Sequence, residues 1–153
     1  MDVDDAGHRP AFVRFEAEHV GALRIAARLR PPPRLRVVPG ITALQALTAA
    51  HAIPFNTVNG AVTVTTGRRL REAGWPAGAE TVVVMLDGAA SFTQLPQEGV
   101  RIWWGAYLGM GNQVLESGPL AEAGPRIVAT RAATRARHGW IMDTYLLRHD
   151  PEG

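Results

Sequence analysis

Hydrophobic and polar positions change their period several times along this chain. Apolar residues recur at helical spacing over residues 41–50, which predicts a helix, and Pro54 ends that pattern. Residues 60–66 alternate instead, with Val62 and Val64 on one face, which predicts a strand. The better-patterned part of the sequence therefore begins with a helix followed by a strand.

The remaining segments continue this alternation. Residues 81–86 form an unbroken apolar run, typical of a strand buried on both faces, and Thr66 is placed to cap a short helix. The predicted elements are a helix over 66–72, strands over 81–86 and 100–107, a loop with a short element over 109–118, a helix over 120–137 and a closing strand over 140–147. Helices and strands that alternate without repeats predict an α/β fold.

The segment before residue 39 has a weaker pattern. Residues 16–30 fit a helix, and the three prolines at 31–33 end it because proline lacks an amide donor. Residues 34–38 then fit a short strand. Residues 1–15 are expected to be a disordered tail.

Composition limits the class of protein. The chain has 153 residues, of which 46% are hydrophobic, so it can form one core but is short for two domains. The absence of cysteine excludes disulfides and thiolate metal sites, and the histidines lack metal-ligand spacing. No apolar run approaches the ~20 residues of a membrane span, and the acidic N-terminus does not read as a secretory signal. These features predict a cytoplasmic protein without a metal site or a membrane partner.

The positive charge is carried entirely by arginine. All 16 basic side chains are arginine, and they cluster at 68–71 and 131–137. A net charge of +2 is too small to indicate nucleic-acid binding. Arginine suits bidentate contact with carboxylates, although a solvated basic face explains the same clusters.

Three short motifs lie where turns or strand ends are predicted. Residues 39–43 read Pro-Gly-Ile-Thr-Ala, residues 85–88 read Met-Leu-Asp-Gly, and residues 107–111 contain two glycines. Ligands of α/β proteins bind outside the carboxyl ends of strands and against helix amino termini. Ordinary turns explain each motif as well, so spacing alone favours a structural role.

Residues 135–143 carry a dense set of reactive groups. His138 and Asp143 are candidates for acid–base chemistry. A helix that ends at His138, with Gly139 as its C-terminal cap, explains the same residues without chemistry.

Taken together, these motifs resemble the tetrapyrrole methylase family. Order and spacing hold over residues 35–148. The resemblance is carried by residues 37–47, 53–56, 65–70, 81–88, 104–109 and 136–145. The turn at 39–43 belongs to the wider family, whereas the motif at 136–145 is specific to a member that acts on a contracted precorrin ring.

The resemblance implies two α/β domains, with S-adenosylmethionine in the cleft between them, and a homodimer. It also implies methylation of C1 of the contracted macrocycle in cobalamin biosynthesis, with S-adenosylhomocysteine as product and the extruded carbon released as acetate. The family's cofactor contacts carry over to Thr42, Ala43, Met85, Leu86 and Gly109.

The implied substrate and reaction suggest further site residues. The macrocycle carries carboxylates on its rim, and Arg68, Arg69 and Arg137 are the candidates for holding them. Loss of acetate needs a base for the attacking water, and His138 or Asp143 is hypothesised to be that base.

The resemblance does not extend to the family's first domain. Its glycine-rich loop and its Gly-Asp-Pro loop have no counterpart here. The predicted organisation is an unmatched tail over 1–15, the last helix and strand of a truncated N-terminal domain over 16–38, and a C-terminal methylase domain over 39–153, built as a mixed sheet flanked by helices. With one side of the cleft, the isolated chain is expected to have little or no activity. The alternative is a non-catalytic remnant that dimerises or binds tetrapyrrole weakly.

Overall fold

The computed structural model of the chain describes residues 24–31, 33 and 40–149. The chain divides into two compact units, Met1–Thr42 and Ala43–Gly153. In the first unit, residues 24–26 are helical, and a hydrogen bond from Leu29 N to Ala26 O closes the turn that follows. The predicted helix therefore ends at Ala26 rather than at Arg30. Its earlier part, the tail over 1–15 and the strand over 34–38 lie outside the described residues.

The described part of the second unit forms a five-stranded sheet with helices. Its elements are α1 (Ala43–Ala50), β1 (Val62–Thr66), α2 (Gly67–Ala73), β2 (Thr81–Met85), a 3₁₀ turn (Ser91–Gln94), β3 (Val100–Ala106), β4 (Val114–Pro119), α3 (Leu120–His138) and β5 (Asp143–His149). The strand order is β1-β2-β5-β3-β4. Strands β1 and β2 are parallel, and the other neighbours are antiparallel. The predicted α/β class, with a mixed sheet flanked by helices, is confirmed.

Two strand predictions are wrong in part. The closing strand begins at Asp143 instead of residue 140, and it lies in the middle of the sheet, where Leu146 pairs with Val83 on one side and Trp103 on the other. The segment 109–118, predicted as a loop with a short element, contains most of β4. Strand β4 pairs with β3 alone, so it is an edge strand, and edges tolerate its Gly118 and Pro119.

Two predicted helix caps are confirmed. Thr66 Oγ1 accepts a hydrogen bond from Arg69 N at 3.4 Å, which satisfies one of the free amides at the start of α2. Gly139 follows α3 with a φ of 77°, and its N–H donates to Arg135 O at 2.8 Å. Glycine enters this left-handed conformation without the strain that a Cβ imposes.

Apolar side chains cover both faces of the sheet. On one face α2, the 3₁₀ turn and α3 pack against the larger cluster, which includes Leu70, Val84, Phe92, Trp104, Leu120, Ile127 and Tyr145. On the other face Leu44 and Leu47 of α1 pack against Val83 and Leu146. Each fully buried side chain of this size stabilises the fold by about 1.5–3 kcal/mol relative to its exposed state.

Within the described ranges, no helix combines the length and the apolar character that a bilayer crossing requires.

Candidate functional site

The carboxyl ends of β2 and β3 and the amino end of β5 lie side by side at the same end of the sheet's strands. The register places Met85 opposite Thr144 and Ala106 opposite Asp143. We call this region the crevice edge and define it as residues 85–88, 107–111 and 140–143. It contains two of the three short motifs, at 85–88 and 107–111. These motifs lie at the same end of the sheet because β2 and β3 run in the same direction, with β5 antiparallel between them.

Helix α1 directs its amino end towards the crevice edge. His51, just past the last turn of α1, places Nε2 3.0 Å from Trp104 O. One turn earlier in α1, Leu47 lies against Gly105, which is one residue nearer than Trp104 to the crevice edge. A Cβ on Gly105 would lie only 3.0 Å from Leu47 Cδ1, so the helix packs closely on β3 here. Ala43, the first residue of α1, therefore lies on the side of the crevice edge.

Other residues predicted to contact a cofactor flank this end of α1. Met85 packs against the cluster that contains the α1 leucines, and so does Leu108, the neighbour of Gly109. Leu86 is 81% exposed and has a φ of 53°, a left-handed conformation that costs a non-glycine residue roughly 1–2 kcal/mol. Met85, Leu86 and Gly109 thus lie at the crevice edge and Ala43 lies on its side, while Thr42 is the last residue of the first unit.

A buried carboxylate, Asp87, fixes the turn that follows β2. Its Oδ2 accepts hydrogen bonds from the Tyr145 hydroxyl and from Ser91 N, both at 2.6 Å. Its Oδ1 accepts from Ser91 Oγ at 2.7 Å and from Ala89 N at 3.2 Å, and Arg71 Nη1 lies 3.4 Å away. This set of donors holds the residue after Leu86 in place.

The charges in this network are fixed by their surroundings. Burial alone would raise the pKa of Asp87, but the hydrogen bonds from Tyr145, Ser91 and Ala89 outweigh it and hold the pKa below its ordinary value. Burial and the hydrogen bond to Asp87 raise the pKa of Tyr145. The pair therefore remains a carboxylate and a neutral phenol at neutral pH.

Arg131 connects the start of β5 to the turn after β2. Its Nε donates to Asp143 Oδ2 at 2.8 Å, its Nη2 to Asp87 O at 2.9 Å and its Nη1 to Gly88 O at 3.2 Å. Trp104 Nε1 donates to the same oxygen of Asp143 at 2.9 Å. The carboxylate of Asp143 is thus engaged in holding the crevice edge together, and its role as a base stays a prediction.

His138, the other candidate base, lies in a different cavity. It lines a cavity of about 520 Å³ together with Arg137. Asp143 lines a cavity of about 280 Å³ together with Leu86. The structure does not bring the two candidate bases into one cavity.

The three arginines predicted to hold carboxylates are dispersed. Arg68 is exposed and pairs with Glu72, one turn later on α2, at 2.9 Å. Arg69 lines a separate cavity of about 420 Å³ beside β1. Arg137 alone among them lies near the crevice edge, on the last turn of α3.

Large apolar side chains are exposed along the crevice edge. Four of them, Leu86, Met110, Trp140 and Met142, are between 51% and 81% exposed, and we call this set the apolar rim. Tyr107 joins two of its loops, because its N–H donates to Met142 O at 3.0 Å and its ring lies 5.7 Å from that of Trp140, edge to face. Exposed apolar surface of this kind is typical of a binding site.

In the described part of the chain, no three His, Cys, Asp or Glu side chains are grouped to hold a metal ion.

Sequence reasoning missed Arg131, Ser91 and Tyr145. The Asp-Gly pair after a buried apolar strand marks the turn at Asp87, but nothing in the local pattern shows which donors surround it. The sequence shows the arginine cluster at 131–137, but the spacing of these arginines does not indicate that Arg131 is the one that contacts the turn.

Comparison with known proteins identifies the family. Residues 18–124 match the model of the tetrapyrrole (corrin/porphyrin) methylases, and the chain belongs to this family. The resemblance drawn from the sequence motifs is confirmed.

Individual relatives define the match further. The chain is 50% identical over 125 residues to precorrin-6A synthase (deacetylating) from Sinorhizobium sp., a match that covers 82% of this chain and 48% of the relative. It is 41% identical, with a TM-score of 0.79, to the crystal structure of a putative cobalamin synthesis related protein (CobF) from Corynebacterium diphtheriae, covering 86% of this chain and 57% of that one. The chain thus spans about half the length of the curated relative that it matches.

A more distant structure shares the fold. Uroporphyrin-III C-methyltransferase from Thermus thermophilus, solved with S-adenosylhomocysteine, is 15% identical with a TM-score of 0.52 and covers 86% of this chain and 60% of its own.

Proposed function

We propose that this chain supplies the cofactor-binding α/β domain of an S-adenosylmethionine-dependent methyltransferase. The reaction is methylation of C1 of precorrin-5 with release of acetate, which gives precorrin-6A in cobalamin biosynthesis. The 50% identity with a precorrin-6A synthase over 125 residues carries this proposal. A homodimer, a cytoplasmic location and the absence of a nucleic-acid partner are parts of the same proposal.

The crevice edge suits the chemical groups of this cofactor. A Cβ built on Gly109 meets no atom within 4 Å, so the backbone there is open to close approach by a ligand. The amino end of α1, at Ala43, carries the positive end of the helix dipole, which favours a carboxylate. The exposed Leu86 side chain offers an apolar contact to a flat heteroaromatic ring.

Bound S-adenosylmethionine would supply a sulfonium methyl group that is already activated for transfer to an electron-rich carbon. The residues of the chain then have to orient the methyl group towards the acceptor carbon and to exclude water. Thr42, Ala43, Met85, Leu86 and Gly109 would hold the cofactor. Arg131 and Asp87 hold the backbone of the turn that presents Leu86.

Release of acetate requires a water molecule to add to the extruded acyl carbon and a group to accept its proton. His138 and Asp143 remain the predicted candidates. Asp143 already accepts hydrogen bonds from Arg131 and Trp104 through one oxygen. Substitution of both residues in a full-length enzyme, without loss of deacylation, would reject them.

Calorimetric titration of S-adenosylhomocysteine into the purified chain tests the cofactor site. We expect saturable one-to-one binding. Leu86→Glu should weaken binding at least about tenfold, since a lost apolar contact is worth about 1.5–3 kcal/mol and each 1.4 kcal/mol is a factor of ten. Leu86 is exposed, so the substitution should leave folding intact.

Val58→Glu is the matched control, because Val58 is 93% exposed and is not part of the crevice edge. It should bind S-adenosylhomocysteine as the unmodified chain does. Equal loss in both variants would show that the added charge, and not the position, matters. A folded chain that binds no S-adenosylhomocysteine would contradict the proposal and favour a non-catalytic domain.

A further inference from the structure

A cavity of about 520 Å³ lies between the second half of α3 and the turn that joins β3 to β4. Arg137 and His138 line it from the helix, and Asn112 and Gln113 line it from the turn. It adjoins the crevice edge, because Gln113 Oε1 accepts a hydrogen bond from Gly109 N at 2.9 Å.

The polar lining of this cavity includes several hydrogen-bond donors. Among the described residues, Arg137 has no hydrogen-bond or ion-pair partner, whereas Arg131 pairs with Asp143. The carbonyl oxygen of Gln113 is already occupied, so its amide N–H groups are the ones left to donate. A cationic guanidinium beside amide and imidazole donors matches an anionic ligand group, above all a carboxylate.

The remaining lining is apolar and is suited to a short aliphatic segment. Val114 and Ala133 contribute to the same cavity from β4 and α3. Thr130 and Thr134 also line it, but their hydroxyl groups donate elsewhere, to Glu116 Oε1 at 3.2 Å and to Thr130 O at 2.7 Å. The cavity therefore combines a carboxylate-binding end with room for methylene groups.

Aromatic contacts connect this cavity to the apolar rim. The His138 ring lies 5.4 Å from the Tyr107 ring, edge to face, and the Trp140 ring lies 5.7 Å from the same Tyr107 ring. The Tyr107 hydroxyl donates to Trp140 O, which fixes the loop between α3 and β5. A ligand with a flat apolar body and a carboxylate side chain could contact the half-exposed Trp140 and the cavity together.

We propose that this cavity binds a peripheral acetate or propionate side chain of the tetrapyrrole whose ring lies against Trp140 of the apolar rim. The inference rests on the proposed function and names the part of the substrate that each surface holds. Arg137 and His138 bind the carboxylate, and His138 is a binding residue in this arrangement. Arg68 and Arg69 do not line this cavity: Arg68 pairs with Glu72, and Arg69 lines the cavity beside β1.

Basic residues in the last turn of a helix also complement its dipole, which is a structural reason for Arg137. Arg135 shares this role, because it lies in the same turn, but it lines a different cavity, with Val128 and Gly88. Arg135→Gln is therefore the matched control for Arg137→Gln. Both side chains are exposed, and both variants lose one positive charge.

The test is a titration of uroporphyrin III, a stable octacarboxylate tetrapyrrole, into the full chain. Binding is monitored through porphyrin fluorescence and through quenching of tryptophan emission. We expect Arg137→Gln to weaken binding at least about tenfold, as for loss of a charge-assisted hydrogen bond. Arg135→Gln should change it by less than about twofold. Equal losses in the two variants, or no binding of the porphyrin to the folded chain, would overturn the proposal.

Two further titrations separate the possible causes. Sodium acetate competes for a carboxylate site, so it should displace the porphyrin from the unmodified chain at concentrations where sodium chloride has no effect. Equal displacement by the two salts would contradict the side-chain assignment. S-adenosylhomocysteine binding to Arg137→Gln tests the proposed function independently. If Arg137→Gln loses porphyrin binding but still binds S-adenosylhomocysteine, the proposed carboxylate site is supported. If only Arg137→Gln, and not Arg135→Gln, weakens porphyrin binding while the unmodified chain binds no cofactor, the methyltransferase proposal alone is refuted.

Discussion

Gly67→Ala is expected to prevent stable folding of the second unit. Gly67 is the first residue of α2, and a Cβ placed on it would lie 2.2 Å from both Cγ and Oδ1 of Asp87. Asp87 cannot move aside, because Tyr145, Ser91 and Ala89 hold its two oxygens. We expect a loss of at least about 3 kcal/mol in the free energy of unfolding, measured by urea denaturation, at the upper end of overpacking effects.

The control for this substitution is Gly88→Ala. A Cβ on Gly88 meets no atom within 4 Å, so the variant should unfold within about 0.5 kcal/mol of the unmodified chain. Alanine has a higher helix propensity than glycine, so propensity alone would make Gly67→Ala more stable. A variant at residue 67 that is as stable as the unmodified chain would show that Asp87 does not occupy this position.

Asp87→Asn is expected to cost about 3 kcal/mol at pH 7. Both carboxylate oxygens of Asp87 accept from fixed backbone amides, Ala89 N at Oδ1 and Ser91 N at Oδ2. Whichever way the asparagine amide turns, its NH₂ group faces one of these N–H groups and leaves a buried donor without an acceptor. A buried unsatisfied group costs about 1–3 kcal/mol, and loss of the charged acceptor weakens the remaining hydrogen bonds as well.

The effect of Asp87→Asn should depend on pH with a defined sign. Because the pKa of Asp87 is lower in the folded state, its contribution is fully present above the unfolded pKa, near pH 4, and is lost as pH falls through the lower folded value. The asparagine variant lacks this titration. The stability difference between the two proteins should therefore be constant from pH 5 to pH 7 and shrink progressively below about pH 4.

Urea unfolding curves at several pH values measure this difference. Glu98→Gln, which removes an exposed carboxylate, serves as the control and should differ from the unmodified chain by less than about 0.5 kcal/mol. A stability difference for Asp87→Asn that persists unchanged at low pH would mean that the carboxylate of Asp87 is not stabilised in the folded state.

Much of the fold could be predicted because its signals are local. The alternation in β1, the apolar run in β2, the Thr66 cap and the Gly139 cap each depend on a few adjacent residues. The central place of β5 depends on pairing with β2 and β3, which a local pattern does not specify. Its run Tyr145-Leu146-Leu147 did carry a usable signal, since strands buried on both faces have unbroken apolar runs.

The candidate site could be predicted only in part, for the same physical reason. Turn motifs and family resemblance selected Met85, Leu86 and Gly109, which lie at the end of a strand or just after it. The contacts that hold them join residues distant in sequence, such as Arg131 with Asp87 and Tyr145 with Asp87. Side-chain spacing along the chain gave no information on these pairs, nor on the separation of His138 from Asp143 into two cavities.

The position of the cofactor at the crevice edge can be measured most directly with methionine methyl groups. The chain has four methionines, and three of them, Met85, Met110 and Met142, lie at the crevice edge. A protein labelled with ¹³C at the methionine methyl carbons, with signals assigned through single Met→Leu variants, would be titrated with S-adenosylhomocysteine. We expect the Met85 signal and at least one signal of the apolar rim to shift and to saturate together. Saturable binding that leaves all three signals unchanged would contradict the assignment of the cofactor site to this edge.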